Sequence, residues 1–174
     1  MGIVMHQEHP VEAIIALGGN LGDVLLSFTG ARAMLDAEDG IEVTASSLLY
    51  SSPPMGPQDQ ADYLNAVIAI STTLEPLTLL LRMQAIELHF GRQRGRRWGE
   101  RTLDIDLIAH DDTQMQSHTL TLPHPGMQQR MFVLQPLCDI RPGWRHPANG
   151  KTARALLQHR INAGDTLLGG GKAW

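Results

Sequence analysis

Gly91 to Asp106 reads G-R-Q-R-G-R-R-W-G-E-R-T-L-D-I-D, a glycine-punctuated arginine loop running straight into an apolar strand that carries two carboxylates. Side chains along a strand alternate between faces and rise about 3.3 Å per residue, so Asp104 and Asp106 share one face. Leu103, Ile105 and Leu107 take the other face, toward a core. The acids then stand about 6–7 Å apart along the strand, close enough to converge on divalent cations. D-x-D alone is a weak signal, and a half-exposed strand showing acids to water is its plain alternative. The apolar opposite face and the adjoining arginines favour the ligand reading. Five of the 14 Lys+Arg lie between Arg92 and Arg101, and all five are arginine, which suits bidentate recognition of phosphate over diffuse attraction. Carboxylates for a cation beside guanidiniums for phosphate are what phosphoryl or pyrophosphoryl transfer from a magnesium nucleotide requires.

The flanking sequence supplies the remaining elements. Ala13 to Leu17 (A-I-I-A-L), stopped by Gly18-Gly19-Asn20, predicts a buried strand. From Asp23, Val24, Leu25, Phe28, Ala31, Met34 and Leu35 recur at helical spacing, and Asp39-Gly40 ends that helix. Ile41 to Tyr50 and Tyr63 to Thr73 read as strands, separated by the proline-rich loop Ser51 to Asp62 (S-S-P-P-M-G-P-Q-D-Q-A-D). Pro76 suits the first turn of a second helix, capped at Thr73 or Glu75 and continued by Leu77, Leu80, Leu81, Gln84 and Leu88. Thr102 to His110 is the last long strand. Residues 111–119 form a turn or small hairpin, and Met131 to Ile140 can be a helix although Pro136 interrupts it. Ala153 to His159 is a short amphipathic piece. Residues 1–11 are expected as a loose leader and the glycine-rich residues 165–174 as a flexible tail. The order strand–helix–strand–strand–helix–strand predicts an α+β, ferredoxin-like βαββαβ fold. Its antiparallel sheet would carry helices on one face and mobile loops over the open one.

At 174 residues a single domain over 1–174 is expected. The net charge of −4 and pI near 6.0 provide no global field for nucleic acid or an anionic membrane. The lone Cys138 excludes an intrachain disulfide. No apolar run approaches a bilayer span and the N-terminus is no signal peptide, so a cytoplasmic protein is expected; a monomer is expected as well. No G-x-x-x-x-G-K-[ST] occurs, so a P-loop does not cradle the phosphates. Gly18-Gly19-Asn20-Leu21-Gly22-Asp23 reads adequately as a strand-to-helix turn. Tyr63 and Asn65 point the same way on their strand, and with Phe132 they could sandwich a flat heterocycle and read its edge, though each alone is more often core. Trp98 fits either a closing loop or a core anchor. His124, in L-T-L-P-H-P, has no partner at metal-site spacing, and Gln84 and Glu87 share a helical face.

Collinear blocks through most of the chain resemble the 6-hydroxymethyl-7,8-dihydropterin pyrophosphokinase family. They are A-L-G-G-N-L-G-D at 16–23, S-P-P-M-G-P-Q-D-Q-A-D-Y-L-N-A at 52–66 and I-E-L-H-F-G-R at 86–92, then R-W-G-E-R-T-L-D-I-D at 97–106 and L-P-H-P-G-M-Q-Q-R-M-F-V-L-Q-P-L at 122–137. The resemblance implies transfer of the β,γ-pyrophosphoryl group of ATP to the pterin hydroxymethyl, releasing AMP. It implies that Asp104 and Asp106 hold two Mg2+ and that Arg92 and Arg101 neutralise phosphate charge in catalysis. Gln84, Glu87, Arg94, Trp98, Thr121, His124 and Arg130 would serve ATP. Ser52, Pro53, Pro54, Met55, Tyr63, Asn65 and Phe132 would hold the pterin. Departures from the family pattern are Gly19 for serine, Glu100 for proline and Pro125 for tyrosine. Two other classes stay open from the residues themselves: an RNA-binding module, disfavoured by 5% aromatics and negative charge, and a two-metal phosphoesterase, which usually needs more ligands than this pair.

Overall fold

The computed structural model describes residues 6–91 and 97–174. In chain order the elements are β1 (His6–Gly19), α1 (Val24–Ala37), β2 (Ile41–Ser46), β3 (Leu49–Ser52), β4 (Tyr63–Leu74) and α2 (Pro76–His89). They continue with β5 (Asp104–His110), β6 (Met115–Gln116), β7 (Thr121–Leu122), α3 (Met131–Ile140), α4 (Ala153–Asn162) and β8 (Gly169–Lys172). The main sheet runs β5-β1-β4-β3-β8, with β2 also on β4, and every pairing in it is antiparallel. Strands β6 and β7 form a separate two-stranded ribbon.

The local causes are those the sequence displays. Asp23 caps α1 by accepting the Leu26 N–H at 3.0 Å. Pro76 opens α2 where its missing N–H costs nothing, and Glu75 caps it without a side-chain bond. Pro136 lies inside α3, where it has no N–H for the preceding turn; burial of the helix holds it together regardless.

Burial of both sheet faces decides the architecture. Along β1, Ala13, Ile15 and Leu17 join Ala66, Ile68 and Ile70 of β4 beneath Phe28 and Leu35 of α1 and Leu79, Met83 and Ile86 of α2. The alternate residues Ile14, Ala16, Val67 and Ala69 meet Val133, Leu134 and Leu137 of α3 and Leu156 of α4. Helices therefore cover both faces, which corrects the expectation of one helical face and one open face. Unbroken apolar runs such as A-I-I-A-L are the mark of a strand buried on two sides.

Both chain ends are also more regular than expected. Residues 6–11 belong to β1, although its pairing with β4 is irregular between His6 and Val11. The tail is a strand: β8 pairs with β3, and the Trp174 indole N–H donates to the Ser47 carbonyl at 2.8 Å. The Arg32 guanidinium lies 4.0 Å over the Trp174 ring, and Phe28 meets that ring edge-on at 5.8 Å. An aromatic anchor at the last position orders a glycine-rich segment that has no apolar pattern of its own. Among the described residues no helix is long and apolar enough to cross a membrane.

Phe28 is 0% exposed and links α1 to both the sheet and Trp174. Phe28→Ala should cost about 3–5 kcal/mol in chemical denaturation; a loss under about 1 kcal/mol would show that this core is not closed.

Candidate active site

The alternation along β5 is realised in three dimensions. Leu103, Ile105 and Leu107 are at most 3% exposed and belong to the core under α1 and α2. Asp104 and Asp106 open instead into a cavity of about 270 Å³ on the opposite face. Strand β1 brings Gly18 opposite Asp104 and Ala16 opposite Asp106, so small residues floor the cavity beside the acids. Arg101 reaches over them, its Nε 3.6 Å from Asp104 Oδ2. Among the described residues no group of three or more His, Cys, Asp and Glu gathers as a metal cage. Two part-exposed carboxylates opening into a polar cavity do fit magnesium, which takes one or two carboxylates and completes its shell with water and phosphate oxygens.

Asn20 holds Arg101 in place. The Arg101 N–H donates to Asn20 Oδ1 at 2.9 Å, and the Arg101 carbonyl accepts from the Asn20 and Leu21 N–H groups at 2.9 and 3.1 Å. The Asn20 amide also donates to Gln60 Oε1 at 3.0 Å and to the Ala61 carbonyl at 2.8 Å. Gln60 in turn donates to the Trp98 carbonyl at 2.8 Å. Gly19 permits this approach, because a Cβ there would stand 2.8 Å from the Thr102 carbonyl oxygen. Trp98 adopts a left-handed backbone, φ 57°, uncommon for a bulky side chain. It packs on Gly56, where a Cβ would lie 2.7 Å from its own.

The other end of the cavity is a slot. Ser52, Pro53 and Met55 border it, with Tyr63 and Asn65 from β4 and Phe132 from α3. Asn65 is 4% exposed, and its Nδ2 donates to Ser52 Oγ at 2.8 Å and to the Tyr50 carbonyl at 3.3 Å. That orients the amide and leaves Oδ1 to accept from a ligand edge. Tyr63 donates its hydroxyl to the Gly99 carbonyl at 2.6 Å. Burial, reinforced by the Asp104 charge, raises its pKa and keeps it a donor.

His124 and Arg130 complete the wall. Burial, and then the neighbouring Arg130 charge, lowers the His124 pKa to about 4. The neutral ring accepts the Gly126 N–H on Nδ1 at 3.1 Å, so its proton sits on Nε2. Guanidiniums and a neutral N–H donor around two carboxylates can take a polyphosphate with its cation, next to a slot for a flat ring.

Of the expected site residues, Ser52, Pro53, Met55, Tyr63, Asn65, Trp98, Arg101, Asp104, Asp106, His124, Arg130 and Phe132 meet in this one cavity. Pro54 is buried beside it and off its lining, Gln84 is exposed on α2, and Glu87 is buried on α2. Thr121 borders an adjoining groove that shares His124. Arg92 and Arg94 lie outside the described residues. Residue reasoning missed Ala16, Leu17 and Gly18 as the floor and Asn20 and Gln60 as the clasp. The G-G-N turn was the available signal, read only as a strand-to-helix turn.

With a folded pKa of about 4 against an ordinary 6.5, His124 binds its proton more weakly folded than unfolded. Its contribution to stability is whole above about pH 6.5 and is lost as pH falls toward 4. Ring-proton NMR should place its titration near 4, and His124→Gln should flatten the acid loss across that window. Titration near 6.5 would contradict the buried placement.

A family model described as 7,8-dihydro-6-hydroxymethylpterin-pyrophosphokinase (HPPK) matches residues 14–142, a stretch containing every residue that lines the cavity. The 2-amino-4-hydroxy-6-hydroxymethyldihydropteridine pyrophosphokinase of Synechocystis sp. is 47% identical over 146 residues, covering 84% of this chain and 74% of the relative. That of Methylorubrum extorquens is 45% identical over 145 residues, covering 83% and 90%. Among solved structures, Plasmodium falciparum HPPK-DHPS wild type with STZ-DHP shares the fold at TM-score 0.68 and 15% identity. That match covers 89% of this chain but only 42% of the Plasmodium chain. With the paired acids, the clasp and the slot all inside the matched segment, the chain belongs to the 7,8-dihydro-6-hydroxymethylpterin-pyrophosphokinase family.

Proposed function

We infer that this protein transfers the β,γ-pyrophosphoryl group of ATP to the hydroxymethyl of 6-hydroxymethyl-7,8-dihydropterin. The products are the pterin diphosphate and AMP, in folate biosynthesis. The observation that carries this reading is one cavity in which Asp104, Asp106 and Arg101 adjoin an aromatic slot with a buried, oriented amide. The family and its named relatives support the same reaction. The pterin ring lies between Tyr63 and Phe132, with Asn65 Oδ1 accepting from its edge and Ser52, Pro53, Pro54 and Met55 bordering it. The triphosphate runs toward Arg101, His124 and Arg130, with Trp98 on the ATP side and Thr121 in the adjoining groove; Gln84 and Glu87, off the lining on α2, join the ATP set through the family resemblance. Arg92 and Arg94 belong to the same set through the family resemblance.

The hydroxymethyl oxygen attacks the β-phosphorus in line, forming one P–O bond as the α–β bridge breaks; AMP leaves with the bridging oxygen and the hydroxyl proton passes to solvent. No enzyme nucleophile is involved. Arg101 stabilises charge on the transferring group, and the neutral His124 donates from Nε2 without adding a second full charge beside Arg130. Asp104 and Asp106 would hold two Mg2+, which when bound neutralise the phosphate oxygens. The chain as a monomeric cytoplasmic domain over 1–174, with a ferredoxin-like core from β1 to β5, completes the proposal; the strand order supports the ferredoxin-like part.

Incubation with ATP, Mg2+ and the reduced hydroxymethylpterin, followed by nucleotide chromatography, should release AMP; ADP would mean ordinary kinase action and end this reading. Asp104→Ala and Asp106→Ala should each lower turnover by at least about 100-fold with the melting transition retained, since such electrostatic groups carry several kcal/mol of the barrier. Near-normal turnover in both would refute the metal assignment. Arg101→Ala should slow transfer more than it weakens ATP binding, and equal losses would restrict it to ground-state binding.

A further inference from the structure

The aromatic walls Tyr63 and Phe132 hang from β4 and α3, and the polar edge at Ser52 hangs from β3. Ser52 ends β3 and is followed by Pro53, whereas Phe132 lies in the first turn of α3. Behind the cavity these elements are tied by residues that do not line it. The Tyr50 hydroxyl of β3 donates to the Asp139 carboxylate of α3, 2.9 Å from Oδ1 and 2.8 Å from Oδ2. The Leu48 N–H donates to the same carboxylate at 3.2 Å. Asp139 follows Phe132 by seven residues, about two helical turns, so both lie along one side of α3.

A second tie closes a ring. The Gln135 side chain of α3 donates to the Leu168 carbonyl at 3.2 Å and accepts the Leu168 N–H at 2.7 Å. Leu168 leads into β8, which returns to β3 with Gly170 opposite Tyr50 and Gly169 opposite Ser51. Gly170 has φ +119°, and a Cβ there would stand 2.7 Å from the Leu49 carbonyl oxygen, so only glycine brings β8 this close. The path from β3 through Tyr50, Asp139, α3, Gln135 and β8 back to β3 is continuous. Its β8 side lies beyond the matched segment 14–142.

We propose that Tyr50 and Asp139 are positioning residues that set the width and polar edge of the pterin slot, acting through Asn65, Ser52 and Phe132. Tyr50 sits opposite Asn65 in the β3–β4 ladder, and its carbonyl is one of the acceptors that orient the Asn65 amide. Shifting Tyr50 therefore moves the atom that reads the ligand edge and one wall together. Tyr50 is 7% exposed. Burial, with the Asp139 hydrogen bond and charge, pushes its pKa up to about 12, so the hydroxyl remains a donor across the working pH range. A binding constellation must be held within about 0.5 Å to function, and this ring is a polar link between the two walls, added to the apolar packing of α3 on the sheet.

The inference rests on the pterin reading of the slot, and titration of the full chain separates the two. Binding of the reduced hydroxymethylpterin is measured by calorimetry with Mg2+ and a non-hydrolysable ATP analogue present. Tyr50→Phe and Asp139→Ala should each raise the pterin Kd about tenfold, as expected for loss of a hydrogen bond to a charged group. The Kd of the ATP analogue and kcat at saturating pterin should stay within about twofold. Asp139→Asn keeps an acceptor and should recover most of the affinity. Gly170→Ala pushes β8 off the Leu49 carbonyl and Tyr50 Cα without removing the Tyr50–Asp139 bond; it should give a smaller loss of the same kind and serves as the test if Tyr50→Phe does not hold its fold. Variants that bind pterin as the wild type does, with or without a lowered Tm, would overturn the proposal alone. A wild type that binds no pterin would overturn the functional reading and this proposal with it.

Discussion

Period-two alternation along β5 is the constraint on which the cavity depends. Leu103, Ile105 and Leu107 are fixed under α1 and α2, so Asp104 and Asp106 cannot turn from the opposite face without exposing that set. A one-residue slip would bury both carboxylates and expose the leucines and isoleucine together. Charge burial without partners is costly enough to forbid it. The register against β1 shifts between Ile14 and Ile15, after which Ile108 and Ala109 both enter the core under α3 and α4. The bulge thus ends the acid-bearing stretch and anchors the remainder of the strand.

The charged residues beside this strand are placed by backbone as much as by side chain. Arg101 is secured through its N–H and carbonyl by Asn20, leaving the guanidinium free of any positioning task and 3.6 Å from Asp104. The same asparagine reaches Gln60, and through it Trp98. The strand-to-helix turn, the proline loop and the segment leading into β5 therefore share one polar junction. Loss of the Asn20 amide would strand the Arg101 N–H and the Ala61 carbonyl together, since both are paired to that side chain.

The alternation on β5 and the helical spacing of α1 and α2 were legible in the sequence, because each is a local period; the break of Ile41 to Tyr50 into β2 and β3 was not. Long-range partners were not. Asn20 reaches residues 40 and 81 positions away, and its neighbours in sequence say only that a turn ends there. The apolar stretch Met131 to Ile140 declares burial without saying against which sheet face. Gly169 to Lys172 carries nothing that resembles a strand; its order comes from Trp174 on Ser47 and from Gln135 on Leu168. Backbone donors and acceptors fix both ends of that segment, and composition does not encode them.

The misjudged face matters most for chemistry. An open sheet would leave Asp104 and Asp106 on a wet surface, where water screens a phosphate from a guanidinium almost completely. Helix α3 packs over that face and contributes Phe132, and the turn before it contributes His124 and Arg130, converting the surface into a cavity. Attraction between unit charges grows several-fold as the effective dielectric falls from that of water toward about 20. Burial is also the largest cause of the lowered His124 pKa, the same exclusion of water acting on a neighbouring group. On the proposed reading, the helix that braces the aromatic slot from behind would also dry the phosphate site in front, and would so couple selectivity for the flat ring to the strength of the field on the transferring group.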